Sequence, residues 1–324
     1  MKARRTVRWL LGLAVAGVVA LAAAFAVARW LTRDAVTVPD YQPSAERGAL
    51  VLAAAGCTGC HTAEGADAKP LAGGRALDTP FGTFYGPNIT PDPVHGIGAW
   101  SDEDFLRALG QGVAPDGSDL YPVFPYTSFT RMTAEDMLDL KAYLFSLEPV
   151  AQPNSPHEIG FPFSVRQTLT FWKLFFFAPG PDPAEAGRDE AWHRGRYLVR
   201  ALGHCGECHT PRDATTGALD ETMALAGTED GPGGAAIPNI TPDDATGIGR
   251  WSEGDIAFFL QSGMTADGDF VGGEMGEVIR GTGRLSPEDR AAMAAYLKSI
   301  APVSHQIGRP RPAEDGGGDD NPWD

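Results

Sequence analysis

The chain carries four cysteines, and all of them fall in two copies of one pattern: Cys57-Thr58-Gly59-Cys60-His61 and Cys205-Gly206-Glu207-Cys208-His209. Two thiols three positions apart, with an imidazole directly after them, suit covalent attachment of a c-type haem. Each thiol adds to a vinyl group at the porphyrin edge, and the histidine coordinates the iron. A zinc ribbon would set its CxxC pairs ~15–20 residues apart, whereas residues 61–204 separate these two. A thioredoxin-like CxxC needs no following histidine. Structural disulfides of an exported protein are the remaining rival. The spacing therefore predicts two covalently attached haem c groups, with Cys57, Cys60, Cys205 and Cys208 as anchors and His61 and His209 as iron ligands.

An internal repeat shows what must position these residues. GPNITPDPVHGIGAW at 86–100 matches IPNITPDDATGIGRW at 237–251, with Asn88 and Asn239 offset by 151. After each copy a capping serine with an acid three residues on, Ser101-Asp104 and Ser252-Asp255, opens a helix. A further helix follows, starting at Thr133 in one half and at Ser286-Pro287 in the other, and ending before Pro149-Val150 and Pro302-Val303. Ahead of each CxxCH another helix is expected, over Ala45 to Ala55 and Asp189 to Leu202. Gly48 and Gly195 in these would let the opening helix approach the closing one near Tyr143 or Tyr296.

The order helix, haem site, Gly/Pro loop, helix, loop, helix resembles the all-α class I cytochrome c domain, here in two tandem copies. GPNITPD, GIGxW, a DG turn, a YPxxPY segment and a last helix with AYL narrow the likeness, over residues 44–305, to the cytochrome c subunits of membrane-bound periplasmic dehydrogenases acting on alcohols, sugar acids or N-heterocycles. Alcohol dehydrogenase subunits of this group commonly carry three haem motifs, where this chain has two. The resemblance implies a methionine opposite each histidine, a pairing that raises the reduction potential. Met275, flanked by Gly272, Gly273 and Gly276, fits this in the second half. The same offset lands on Phe124, where the related subunits often have Met. Three outcomes are open for the first haem: a vacant sixth position, a rearranged loop, or a substitute such as Met132. Met132 aligns with Leu285 just before a helix cap. His95 is a weaker candidate, in a turn. Pro87 and Pro238 resemble the proline whose carbonyl orients the ligating histidine. Trp100 and Trp251 would pack on the haem edge or bond a propionate, or simply fill the core.

The outer segments set the context. Lys2, Arg4, Arg5 and Arg8 precede an apolar run from Trp9 to Ala28, closed by Arg29, Trp30 and Arg33. About twenty such residues cross a ~30 Å hydrocarbon core, with the basic end inside. A cleaved signal peptide ending near Ala24-Phe25-Ala26 is the alternative. Expected domains are thus 1–35, a single-pass anchor in a bacterial inner membrane; 36–150 and 189–307, cytochrome domains in the periplasm; 151–188, a Pro/aromatic linker; and 308–324, a disordered acidic tail. The linker aromatics, Phe161 to Phe177, need cover from the domain interface, the membrane surface or a partner subunit, the first being favoured. Forty-two acids against 26 Lys and Arg give a formal charge of −16, which argues against nucleic acid.

The resulting expectation is a membrane-tethered electron carrier with no catalytic residues of its own. It would relay single electrons from a periplasmic or membrane-bound dehydrogenase to a cytochrome or terminal oxidase. The alternative is a dihaem peroxidase-like or gas-binding enzyme using an open first haem.

Overall fold

The computed structural model describes residues 2–308. Of the acidic tail expected from 308 onward, residues 309–324 lie outside the described residues.

The chain begins with α1, Lys2–Leu31, of which Arg8–Leu31 is long and apolar enough to cross a membrane. Its apolar side chains face outward, Leu13, Val18 and Leu21 each more than half exposed.

The first domain then runs α2 (Ala45–Ala54), α3 (Cys57–His61), β1 (Ala76–Thr79), β2 (Gly82–Tyr85), α4 (Asp102–Gln111), α5 (Tyr126–Phe129) and α6 (Ala134–Phe145). Through the linker come β3 (Glu158–Ile159) and α7 (Thr168–Phe176). The second domain has α8 (Glu190–Tyr197), which widens into one π-helical turn over Leu198–Leu202, then α9 (Gly206–His209), α10 (Glu253–Ser262), α11 (Gly273–Thr282) and α12 (Pro287–Ser299).

The expected caps are in place. Ser101 Oγ accepts from the Asp104 N–H at 3.1 Å while the Asp104 carboxylate accepts from the Ser101 N–H, and Ser252 and Asp255 repeat the arrangement. Thr133 and Ser286 cap α6 and α12. Each domain is built on a crossing of its first and last helices at a glycine, because a side chain there would collide with backbone. A Cβ on Gly48 would stand 1.9 Å from Asp139 O, and one on Gly195 1.9 Å from Ala292 O. Tyr143 and Tyr296 lie beside these contacts. Val51, Leu52, Phe105, Leu109, Met137 and Leu140 form the first core, and Leu198, Val199, Ile256, Leu260, Met293 and Leu297 the second, within one continuous apolar cluster.

The fold is mostly helical, with one addition the all-α expectation did not include. β1, β2 and β3 form a small antiparallel sheet with Leu77 opposite Phe84 and Gly82 opposite Ile159. Only four residues long, β1 and β2 gave too little alternation to stand out among loop residues.

The linker is tied down at α7. Lys173 is fully buried and donates to Gln111 O, Gly112 O and Asp119 Oδ1, all within 2.8 Å. Burial pulls its amine down to about 8, against the pull of Asp119. Arg33 reaches the same carboxylate, and Arg29 and Arg33 both donate to Gly117 O, so α1, α7 and the 112–121 loop share one polar knot. The favoured domain-interface cover accounts for only part of the linker: Trp172 donates its indole N–H to Thr216 O of the second domain, whereas Phe161 and Phe175 remain 85% and 73% exposed.

Candidate functional site: two matched histidine pockets

α3 and α9 are single turns that put the two thiols and the imidazole of each CxxCH on one short helix. The chain enters them through residues in the left-handed region, Gly56 at φ 60° and His204 at φ 36°. No disulfide joins any of the four cysteines. Burial pushes Cys57 and Cys205 up to about 12 and Cys208 to about 11, and raises Cys60. Neutral thiols supply both the sulfur and the hydrogen that an addition to a vinyl group consumes.

Each histidine is held by the carbonyl of a proline in the repeated loop. His61 Nδ1 lies 2.7 Å from Pro87 O and His209 Nδ1 lies 2.8 Å from Pro238 O. A carbonyl only accepts, so the proton sits on Nδ1 and Nε2 keeps its lone pair. Burial lowers both imidazoles, outweighing the proline bonds that favour the charged form, and so both stay neutral, the form that binds a metal.

Behind each histidine lies a second matched set that the sequence analysis missed. Gly73 N–H donates to His61 O at 2.8 Å, and Gly227 N–H to His209 O at 2.7 Å. Leu71 and Leu225, both in the left-handed region at φ 60° and 63°, donate to the hydroxyls of Thr62 and Thr210 at 3.0 Å. A Cβ at Gly73 or Gly227 would come within 2.7 Å of the carbonyl carbon of Pro87 or Pro238. His-Thr and Leu-Ala-Gly recur in both halves, but at offsets of 148 and 154 rather than 151, so a comparison at one offset passes over them.

The repeated asparagines fix the loop to the end of the domain. Asn88 Nδ2 donates to Val150 O at 2.7 Å and Asn239 Nδ2 to Val303 O at 2.8 Å, while their side-chain oxygens accept from Thr90 and Thr241. This gives the recurring Pro-Val pairs their place. Trp100 and Trp251 stand half-buried at the core edge, and among the described residues neither indole N–H has a protein acceptor.

The opposite side differs between halves. Met275 is half-buried in the first turn of α11 rather than in a glycine-rich loop, because Gly272 and Gly273 only lead into ten helical residues secured by buried Ile279 and Thr282. In the first half Phe124 packs edge-on against Phe129 at 5.7 Å, and Met132, 5% exposed, joins the same core. His95 is half-buried; its main-chain N–H donates to Asp92 and its carbonyl accepts from Asn154.

The two attachment turns face the same domain boundary. Glu207, inside the second CxxCH, accepts from Thr127 and Ser128 of the first domain at 2.7 Å and pairs with Arg212. His204 Nε2 lies 3.2 Å from Ala55 O, Arg75 pairs with Glu274 at 2.9 Å, and a Cβ on Gly281 would strike Ala53 O. Cys60 and Cys208 are close enough that charge on one raises the other.

Comparison with known proteins decides the family. The family model for cytochrome c matches residues 45–148 and 193–301, about two thirds of the sequence and both histidine pockets. The chain belongs to the cytochrome c family. This cytochrome c is 44% identical over 296 residues to a diheme cytochrome c-type protein of Cereibacter sphaeroides, covering 89% of this chain and 98% of that one. It is 41% identical to the fructose dehydrogenase cytochrome subunit of Gluconobacter japonicus over 80% of this chain, and 40% identical to the gluconate 2-dehydrogenase cytochrome c subunit of Pantoea cypripedii over 79%. The cytochrome spans 53% of the former and 59% of the latter. It carries two covalently bound haem c groups and is an electron-transfer protein. Paired cysteines outside any disulfide, neutral imidazoles with Nε2 unbonded and two unpartnered indoles fit those groups in both halves.

Proposed function

We propose that this cytochrome c is a membrane-anchored periplasmic relay, taking single electrons from a membrane-bound dehydrogenase and passing them to a downstream cytochrome or terminal oxidase. Bound haem supplies a one-electron couple between ferric and ferrous iron. The chain's residues do the rest. Cys57, Cys60, Cys205 and Cys208 fasten the groups, and His61 and His209 coordinate through Nε2. Pro87 and Pro238 hold the rings against rotation, and Trp100 and Trp251 would pack on the haem edge or donate to a propionate. Met275 would supply the thioether in the second half; in the first, Met132 is the candidate substitute for the missing methionine at Phe124, beside a vacant position and a rearranged loop. The single observation that carries the reading is the approach of the two attachment turns at one domain boundary, where Cys60 lies near Cys208 and Glu207 reaches across to Thr127 and Ser128 of α5. A protein that stored or sensed with separate haems has no need of that approach. The named relatives, cytochrome subunits of fructose and gluconate dehydrogenases, support a dehydrogenase as donor. The exposed apolar surface of α1 supports anchorage.

Deleting the chain from its host and assaying the membranes with alcohols, fructose, gluconate and nicotinate tests the proposal. For one substrate, dye-linked dehydrogenase activity should persist while oxygen uptake falls. Oxygen uptake unchanged across the panel would overturn it.

A further inference from the structure

α7 has two faces. Leu169, Thr170 and Lys173 are buried against the first domain. Phe171, Leu174 and Phe175 lie at i, i+3 and i+4 and so share the other face. The ring of Phe171 rests 6.1 Å from that of Phe25 on α1, but Leu174 and Phe175, one turn further on, are 39% and 73% exposed. The face that α1 begins to cover thus runs on uncovered, while Val27, Trp30 and Leu31 are exposed on the far side of α1.

Depth follows from the helix rise. Phe25 lies three residues before Ala28, where the apolar run ends, and six before Leu31, the end of the candidate span, or about 5–9 Å at ~1.5 Å per residue. Amphipathic helices in the plane of a bilayer bury their apolar face ~5–10 Å into the boundary between headgroups and acyl chains. A helix that touches Phe25 is therefore held at that depth. We propose that the Phe171-Leu174-Phe175 face of α7 lies in the outer boundary layer of the bilayer. With α1 it would form a two-point mount that fixes the tilt of the first domain on the membrane. The occupant is lipid rather than a partner subunit because the face abuts the membrane span itself, at Phe25. The polar knot at Asp119 ties α1 and α7 to the first domain. The proposal rests on the reading of α1 as a retained anchor.

In the matured protein the native cysteines are tied up in haem attachment, so a substituted cysteine is a lone reactive thiol. Full-length Phe175→Cys and Val94→Cys, the latter at a position 78% exposed, would be reconstituted alone in phosphatidylcholine–phosphatidylglycerol vesicles and treated with a sulfonated maleimide. The Phe175→Cys thiol should react about ten-fold more slowly than the Val94→Cys thiol, as expected of an interfacial position, and both should react fully in urea. Equal rates in vesicles would overturn the proposal, as would protection seen only after a dehydrogenase is added. Intact mass and a carbonate wash of the same vesicles report on the anchor separately. A chain lacking α1, or released by carbonate, sinks the anchor reading and the α7 proposal together, whereas equal rates in an integral full-length chain sink the α7 proposal alone.

Discussion

In the first half His61 leans on Pro87 and Gly73 closes behind it; in the second His209 leans on Pro238 and Gly227 closes behind it, with distances that agree to 0.1 Å. Across from these matched histidines the likeness ends. Phe124, single-turn α5 and buried Met132 stand in one half, and ten-residue α11 with Met275 in the other. The side that must hold an imidazole neutral and fixed has been kept twice. The side that tunes potential has been free to vary. A second contrast lies outside the pockets: among the described residues the sheet, the buried face of α7 and the hydrogen bonds to Arg29 and Arg33 are on the first domain. On the proposed anchorage it would be the membrane-proximal half, with the second domain left to meet partners.

The polar knot belongs to the first half alone, and breaking it should have the largest effect. Asp119→Ala leaves Lys173 buried without its carboxylate, a loss of about 3–5 kcal/mol for breaking a buried pair. Denaturation followed by circular dichroism should show the first domain melting early; one shared, unshifted transition would deny the asymmetry. The thioether side comes next. Met275→Ala should lower the potential of one haem by on the order of 0.1 V, out of the ~0.8 V over which axial ligands act, and leave the other haem alone. Met132→Leu keeps the packing, so a shift at the other haem in a redox titration marks a ligand, and an unshifted titration leaves Met132 as core alone.

The shared architecture predicts equal costs. Gly48→Ala and Gly195→Ala each place a methyl 1.9 Å from a carbonyl oxygen, and each should destabilise its own domain by about 1–3 kcal/mol through overpacking. A large cost in only one domain would break the equivalence of the two helix crossings. The smallest effect is in acid. Burial alone would raise the Asp139 carboxyl, but hydrogen bonds from Arg47, the Ser44 N–H and Tyr41 outweigh it and hold it below the ordinary range. The residue facing Gly195 in the second half is Ala292. The unfolded chain therefore binds this proton more readily than the folded one. The network's contribution is complete above the ordinary carboxylate value and fades as pH falls through the depressed one. Arg47 is half-exposed, so solvent screens the pair and keeps the effect small. Asp139→Asn should flatten the acid limb of the first domain's stability curve without altering the second's.

Much of this was legible in the residues. CxxCH named its chemistry, the 151 offset exposed the duplicate loops, and serine caps with acids three residues on located the helices, because each of these signals is local. What escaped was nonlocal or register-shifted. The Thr62-Leu71-Gly73 set hid behind a changed offset, and the short strands had too few residues to show a period. The α7 knot depends on Lys173 meeting Asp119 across fifty-four residues, which no sequence pattern reports. Met275 looked like a loop residue because glycines flank it, yet helical contacts through Ile279 and Thr282 outweighed them.

The central claim is that each half fastens its own haem through the same histidine-side scaffold. Intact mass of the matured, purified chain, followed by peptide mapping, tests it directly. The account predicts the polypeptide plus two haems, one on the peptide bearing Cys57 and Cys60 and one on that bearing Cys205 and Cys208. A mass equal to the bare polypeptide, or a single haem on only one of the two peptides, would contradict it.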